Sequence, residues 1–508
     1  MASTTAVQTK SIPQVTVLTR VGMSVALGLL SAVLLIFAFQ PYNIWPLAFI
    51  CFIPMTIAAQ RIMPRRWAGL PTAIGAGVWL AVLLTAIFGF NLNAWFFLAI
   101  ALVVALINLV SEPGSRLFHE RTGYRWFVLQ GAISTVGIEM IRSFIPAIST
   151  HVFMVQTVYK VPWLIQPISI FSIYGMSLVI MLVNYALAGA ALAWIDRRWP
   201  GLSAVTFGTR LSTRWLAGVG VVLAVWCAIG IITLAAAPAN PSTLRVAAIQ
   251  PGYTRPGHLD AANQETRLRA LAEQTRAAAA QGAKLMVWPE LGLGFDPQVE
   301  HTAELRALAA ETQAYLVIGY GVTDDPRGWR NEAVMLTPEG TFLPVYGKNF
   351  GSVGEGPTVT AGSYPVYHTP LGRIGTVICN DVNFTASVRN LANNGAQLVT
   401  IPTLEAAMPG FHWEMPIQGV LRGVENRVAT IKADTAYSAL IADPYGRILA
   451  SRDGAPDGEA FALVADVPLG TGSTIYSRLG DWVGWLGLAG LVAFTIMQNL
   501  NKRGANKQ

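Results

Sequence analysis

Cysteine is scarce in this chain, with three in 508 residues. Cys51 and Cys227 lie inside apolar runs, so Cys379 is alone in the polar part and no disulfide can form within it. Charge is scarce as well. Only 12% of residues are charged and mean hydropathy is +0.46, too apolar for an ordinary soluble enzyme. Acidic residues are almost missing outside residues 243–475. That segment holds 17 basic and 23 acidic residues, net −6, and the remainder holds 18 basic and 5 acidic, net +13. Nucleic-acid binding needs its basic patch on the soluble part, so that partner class is excluded. The six histidines are scattered without the close spacing of a zinc motif, so no metal site is supported. Internal repeats and long low-complexity segments are also missing.

What is present is a series of long apolar runs. They lie near Val21 to Phe39, Ile44 to Ala59, Ala68 to Phe90, Ala94 to Val110, Trp126 to Ile145, Ile168 to Ile195, Trp215 to Ala236 and Trp482 to Met497. Each approaches or exceeds the roughly 20 residues that cross a bilayer. The expected order is seven spans, a polar domain and an eighth span. The first run is not read as a cleavable signal, because Phe39-Gln40-Pro41-Tyr42 leads straight into the next span with no small-residue cleavage site. With eight spans, the basic residues from Lys10 and Arg20 through Arg61, Arg65, Arg66, Arg116, Arg121 and Arg125 to Arg197, Arg198, Arg210, Arg214, Lys502, Arg503 and Lys507 fall on one face. The opposite short loops hold only Lys160. A positive face is cytoplasmic, which puts both termini inside and residues 243–475 outside the cytoplasm. The expected divisions are a cytoplasmic segment 1–20, a seven-helix membrane domain 21–240, the polar domain 243–475, an eighth helix 480–498 and a cytoplasmic tail 499–508. Tyr42, Trp45, Trp163 and Trp485, near span ends, read as interfacial anchors. Glu139 and Arg142, three residues apart in the fifth span, read as a pair that satisfy each other.

Within the polar part, short β-rich runs alternate with helical patterns, which predicts an α/β domain. Strands are expected at Leu244–Gln250, Lys284–Trp288, Tyr315–Tyr320, Ala333–Leu336, Arg373–Ile378, Gln397–Ile401, Thr430–Ala433 and Ala439–Ala442. Helices are expected at Asn263–Ala280, Glu304–Gln313 and Trp413–Val428.

Three residues at strand ends carry the chemistry. A thiol with a pKa near about 8.5 is a weak nucleophile at neutral pH unless a base takes its proton or a cation holds the thiolate. Glu290 in VWPEL and Lys348 in VYGKN can supply those two functions to Cys379 in GTVICND. A carboxylate in a partly apolar pocket serves as base and then acid, and an ammonium holds a tetrahedral oxyanion. Such a set suits acyl transfer through a thioester. Taken singly, each has a plainer reading: a buried cysteine is usually a small hydrophobe, and a lone Glu or Lys a surface residue.

The order VWPE, then YGK with a Gly-Glu shortly after, then GxxICxD is similar to the Glu-Lys-Cys pattern of the nitrilase (carbon-nitrogen hydrolase) superfamily. Seven spans before such a domain and one after resemble its membrane-embedded apolipoprotein N-acyltransferase family. FAFQPYNIWPLAFI, IQPISIFSIYGMSLVIMLVNYAL, GVENR and IYSRLGD extend that likeness over nearly the whole chain. The resemblance implies an eight-helix transmembrane bundle carrying an extracytoplasmic αββα sandwich. It also implies Glu290 as general base, Lys348 as oxyanion stabiliser, Cys379 as acylated nucleophile and Glu355 as the family's further glutamate. The implied reaction moves an acyl chain from a phospholipid to the α-amino group of a diacylglyceryl-modified N-terminal cysteine on a lipoprotein. It runs in a bacterial inner membrane and needs no cofactor. A site at the bilayer lets two lipid-anchored substrates find it along the surface. The chain also departs from the pattern. Lys348 and Cys379 are only 31 positions apart, which implies a shorter lid; Asn380-Asp381 replaces aromatic-Glu, and Thr403-Leu404-Glu405 stands where a Ser-Asn-Asp turn is typical. These differences bear on substrate more than on chemistry. They leave open a membrane-tethered amidase or nitrilase acting on a small carbon-nitrogen substrate, and a transporter or scaffold is the reading from another class.

Overall fold

The computed structural model describes residues 16–88, 94–146, 148–252, 261–352, 355–356, 358–405, 411–435, 437–454 and 458–505. The apolar half forms helices α1 (Val17–Ala38), α2 (Ile53–Ile57, continued by a π-helical turn), α3 (Gly69–Phe88), α4 (Ala94–Arg121), α5 (Phe127–Ser143), α6 (Pro162–Ile165), α7 (Ile168–Arg198) and α8 (Thr209–Ala235). Among the described residues, seven helical segments are long and apolar enough to cross a membrane, six of them in this half and one after the polar domain. The expected fifth span corresponds to α5, which at 17 residues sits at the short end of membrane-helix lengths, about 17 to 25 residues. It packs on α7 and on α14 (Trp482–Ala505), the last helix of the chain. Its Gly137 lies so close to that last helix that an added methyl would meet Leu491 Cβ at 2.7 Å, the close backbone approach that small residues allow between membrane helices.

Several charged groups among these helices have specific partners. Arg61, expected among the loop charges, is buried instead and grips Asp196 through two hydrogen bonds of 2.7 and 2.8 Å, with Tyr124 Oη 2.6 Å away. Arg116 is likewise buried and pairs with Glu120 at 2.9 Å. Glu139 and Arg142 both turn to the segment joining α5 to α7. Glu139 Oε1 accepts from the Met154 N–H at 3.0 Å, and Arg142 donates to the His151 carbonyl at 2.5 Å with its guanidinium over Phe153.

The polar half holds two six-stranded sheets. The first runs β12-β1-β2-β3-β4-β5, with β1 (Thr243–Gln250), β2 (Leu285–Val287), β3 (Tyr315–Val322), β4 (Arg330–Leu336), β5 (Tyr346–Gly347) and β12 (Phe461–Pro468). The second runs β11-β10-β9-β8-β7-β6, with β6 (Val366–Thr369), β7 (Gly372–Thr376), β8 (Leu398–Thr403), β9 (Ala429–Asp434), β10 (Ser438–Ala442) and β11 (Ile448–Asp453). In each sheet three neighbouring strands are parallel (β1-β2-β3 and β7-β8-β9) and the flanking pairs are antiparallel.

Strand side chains alternate in direction, and here both directions are apolar. Val246, Ala248, Leu285 and Val287 share a buried core with Leu398, Ile401, Ala429 and Ile431 of the other sheet. Their neighbours Ala247, Ile249, Met286 and Trp288 instead meet Leu268 and Leu271 of α9 (Ala261–Ala280) and Leu305 and Leu308 of α10 (Thr302–Thr312). The second sheet is followed by α11 (Thr385–Asn393), α12 (Phe411–Asn426) and the short α13 (Ile475–Leu479). All eight expected strands and all three expected helices are present, with shifted ends. The strands missed are β5, β6, β11 and β12, which are very short or lie at sheet edges where one face is solvated and the apolar signal is weak.

Helix α12 packs against α7 and ties the two halves together. Inside α7 the backbone breaks at Ser172, whose φ is +58°, and this frees the next amide from the helical ladder. The Ile173 N–H donates instead to Glu425 Oε1 of α12 at 2.8 Å, and Glu425 is itself paired with the buried Arg422. Both residues belong to α12, so the break in a membrane helix is satisfied by the polar domain.

Candidate active site

In each sheet the C-terminal ends of the parallel strands open toward one place, the position where ligands bind in open α/β sheets. Glu290 follows β2, after Trp288, whose indole N–H donates to Thr275 of α9 at 2.9 Å and fixes the strand end. Lys348 follows β5, with its backbone N–H on the Asn331 carbonyl of β4 at 2.9 Å. Cys379 follows β7 and opens a turn of 3-10 helix over Cys379–Asn383, with its own φ at +47°. A left-handed cysteine is costly, and four hydrogen bonds to the side chain of Asp381 hold the turn in place. Asp381 Oδ2 accepts from the Ile378 N–H at 3.1 Å and Tyr346 Oη at 2.7 Å, while Oδ1 accepts from the N–H groups of Asn349 at 3.0 Å and Phe350 at 2.7 Å. Asp381 therefore fastens the thiol turn to the loop that carries Lys348.

Lys348 Nζ lies 2.8 Å from Glu290 Oε1 and 2.6 Å from Glu355 Oε2. Asn331 Nδ2 donates to Glu290 Oε1 and Glu355 Oε1, each at 2.7 Å. Glu355 also accepts from the Ser352 N–H at 2.9 Å. One ammonium, two carboxylates and one amide thus form a closed ring. The four sequence-predicted residues come together here, and Asn331 joins them without having been foreseen. Asparagine in a strand has no periodic or motif signal that would single it out.

The enclosure sets the electrostatics. Cys379 is 5% exposed, and Glu290 and Lys348 are 3% exposed. Burial pushes the Cys379 thiol well above its ordinary pKa, the Glu290 carboxylate adds to the rise, and Lys348 acts against both. For Lys348 burial works downward, but the charges of Glu290, Cys379 and Glu355 outweigh it and the ammonium is held above its usual range. At Glu355 burial is outweighed by Lys348, and the carboxyl is held below the usual range. The resting state is accordingly a neutral thiol beside a protonated lysine and an ionised Glu355. Such a set can move a thiol proton to a carboxylate as sulfur attacks a carbonyl.

A second polar group lies behind the thiol. The Leu404 N–H at the end of β8 faces the sulfur. The adjoining Glu405 is buried with Lys432 Nζ at 3.1 Å, and Lys432 also reaches Asp434 Oδ2 at 3.4 Å and the Ser438 carbonyl at 2.5 Å. The membrane half touches the other side of the turn, where the hydroxyls of Ser149 and Thr150 donate to the Asn383 carbonyl at 2.9 and 2.6 Å.

Residues 245–475 match the model of the carbon-nitrogen hydrolase family. A nitrilase of Pyrococcus abyssi is 31% identical over 34% of this chain and 73% of its own length. A solved amidase from Nesterenkonia sp. is 25% identical, covering 45% of this chain and 92% of its own, with a TM-score of 0.37. The chain belongs to the carbon-nitrogen hydrolase superfamily. The apolar half then narrows the assignment, because residues 31–186 match the apolipoprotein N-acyltransferase N-terminal domain. An apolipoprotein N-acyltransferase of Geobacter metallireducens is 26% identical over 91% of this chain and 93% of its own length. Within the superfamily this chain is an acyltransferase of that membrane-embedded family.

Proposed function

We propose that the chain carries an acyl group from a membrane phospholipid to the α-amino group of a diacylglyceryl-modified N-terminal cysteine, with Cys379 as the covalent carrier. In the first half-reaction Glu290 takes the Cys379 proton as sulfur attacks an ester carbonyl of the phospholipid. The oxyanion of the tetrahedral intermediate lies against the Lys348 ammonium, whose charge is most useful where water is excluded. Collapse breaks the ester bond, the glycerol oxygen leaves with the proton held by Glu290, and a thioester and a lysophospholipid result. In the second half-reaction the lipoprotein amine attacks the thioester, Glu290 removes its proton and returns it to sulfur, and an amide is formed. Glu355 and Asn331 hold Lys348 and Glu290 in register throughout. The observation that carries this reading is the 2.8 Å contact between Lys348 Nζ and Glu290 Oε1 inside an enclosed site, beside a thiol that both charges act upon.

The reading extends to topology. Eight crossings, with α5 as the fifth, place both termini in the cytoplasm and the domain over 243–475 outside it, in a bacterial inner membrane. The two sheets with α9 and α10 on one side and α11 and α12 on the other are read as an αββα sandwich resting on the bundle through α12 and α7. The contact between the Cys379 turn and residues 149–150 supports a catalytic domain seated on the membrane part.

Intact mass spectrometry after incubation with phospholipid tests the proposal. The expected result is a fatty-acyl adduct on the wild-type protein, released by hydroxylamine, transferable to a diacylglyceryl peptide and missing from Cys379→Ala. A folded, lipid-embedded protein that forms no adduct but hydrolyses small amides would overturn it in favour of an amidase.

A further inference from the structure

A second polar site lies at the other ends of the same strands. Arg427 precedes β9 and Asp434 ends it, so at about 3.3 Å per residue the two are roughly 20 Å apart. Beside Arg427 an open cleft of about 460 Å³ separates the catalytic domain from the ends of α7 and α8. The Arg427 side chain is buried at its base. Its Nη1 donates to Gln166 Oε1 at 2.7 Å and to the Pro444 carbonyl at 3.2 Å, its Nη2 donates to Ser169 Oγ at 3.1 Å, and its plane lies 4.6 Å from the Tyr445 ring centre.

All of these partners are neutral. Among the described residues no carboxylate lies within ion-pair distance of Arg427, and the nearby Asp443 is paired with Arg447 at 3.6 Å. A buried guanidinium normally has a counter-charge, because desolvating it alone is expensive. Outside the wall an exposed second arginine, Arg478, reaches Oγ of the cleft-lining Ser473 at 3.5 Å and also has no carboxylate partner among the described residues. Thr233, Thr471 and Ser473 add hydroxyls to the walls. A buried guanidinium held by neutral groups, with Asp443 acting on it only from beyond ion-pair distance, an exposed arginine close by and several hydroxyls in the walls are the chemistry of a phosphate site.

The surroundings indicate which phosphate. Ile232 lines the cleft and is 67% exposed, next to Ile231 at 57%, on the last turn of α8, where the helix leaves the membrane. The cleft is thus continuous with a lipid-facing helix surface. We propose that it binds the phosphate of one phospholipid from the adjoining leaflet, its acyl chains lying along α8, as a resident ligand separate from the acyl donor at Cys379. Such a lipid would pin the catalytic domain to the bilayer at the end of β9 opposite Asp434. The inference goes beyond the acyl-transfer reading and stands independently of it, since it is read from bound lipid rather than turnover.

The test counts lipid on purified Cys379→Ala protein with phosphatidylglycerol, by native mass spectrometry after progressive delipidation. Arg427 also braces Gln166 and Pro444, so Arg427→Gln can fail to fold, and the decisive variant is the rim pair Thr471→Glu with Ser473→Glu at exposed positions. The expected result is one firmly held phospholipid in the parent, bound about tenfold more weakly in the rim variant, with millimolar inorganic phosphate leaving the lipid in place. Equal lipid retention by parent and rim variant overturns the proposal. So does full displacement by inorganic phosphate, which would make the cleft a free-anion site.

Discussion

Asn331 Nδ2 stands 2.7 Å from Glu290 Oε1 and 2.7 Å from Glu355 Oε1, so a single amide aligns two carboxylates that share one lysine. Without it two like charges would be kept apart only by Lys348. Asn331→Ala should lower the rate of acyl-enzyme formation about 10- to 100-fold, the effect of leaving buried charged groups short of a hydrogen bond worth about 1–3 kcal/mol. Asn331→Asp should lower it further by adding a third carboxylate. Single-turnover mass spectrometry of the adduct provides the measurement, and an unchanged rate in both variants would remove Asn331 from the site.

Lys348 is proposed to hold the oxyanion and also to offset the burial that disfavours the thiolate. Lys348→Met should reduce kcat about 10²- to 10³-fold, the range for loss of one oxyanion donor. It should also slow alkylation of Cys379 by iodoacetamide at pH values where the thiol is mostly protonated, because the charge that lowers the thiol pKa is gone. Lys348→Arg should not restore activity, since a planar fork cannot replace a compact ammonium between two carboxylates. Faster alkylation in Lys348→Met would contradict the electrostatic account.

Glu355 links the site to pH. Its folded-state pKa is depressed, with Lys348 outweighing burial, so its contribution to stability is fully present above the unfolded value of about 4.3 and is lost as pH falls through the lower folded value. Glu355→Gln should therefore be less stable than wild type at neutral pH, with the gap closing in acid. Thermal unfolding of both proteins from neutral to about pH 3 checks this, and a gap that widens in acid would reverse the sign assigned here.

One carbonyl of the catalytic domain carries two of the hydrogen bonds that join the halves. Asn383 O accepts from both Ser149 and Thr150, so Thr150→Val alone should cost about 0.5–1.5 kcal/mol, the worth of an ordinary hydrogen bond. The double variant Ser149→Ala with Thr150→Val leaves the carbonyl without either hydroxyl and should cost more than the sum of the single changes. A double-mutant cycle in unfolding free energy measures the excess, and strict additivity would mean that the two hydroxyls act independently.

The linear order of residues carried a good deal. Runs of apolar residues near the length of a bilayer depend only on local composition, so the spans were legible, and α5 was read as a span although its helix has only 17 residues. The parallel strands were legible because both their faces are buried and their apolar runs are continuous. Glu290, Lys348 and Cys379 were legible through their order and immediate neighbours. What the chain could not announce is whatever depends on distance across the fold. Asn331 meets Glu290 from 41 positions away, and Glu425 caps a broken helix 252 positions before it. Arg61 resembles a loop charge until Asp196, 135 positions later, is folded against it. Asp381 read from sequence as part of a departure bearing on substrate, and the tertiary structure shows that it also braces the thiol turn. Local sequence determined which groups exist and which segments are long and apolar enough to cross a bilayer, because both follow from short-range chemistry. Only the folded chain decided which charges are paired, which are desolvated and which are left without a counter-charge, because those depend on side chains brought within 3 to 4 Å by packing.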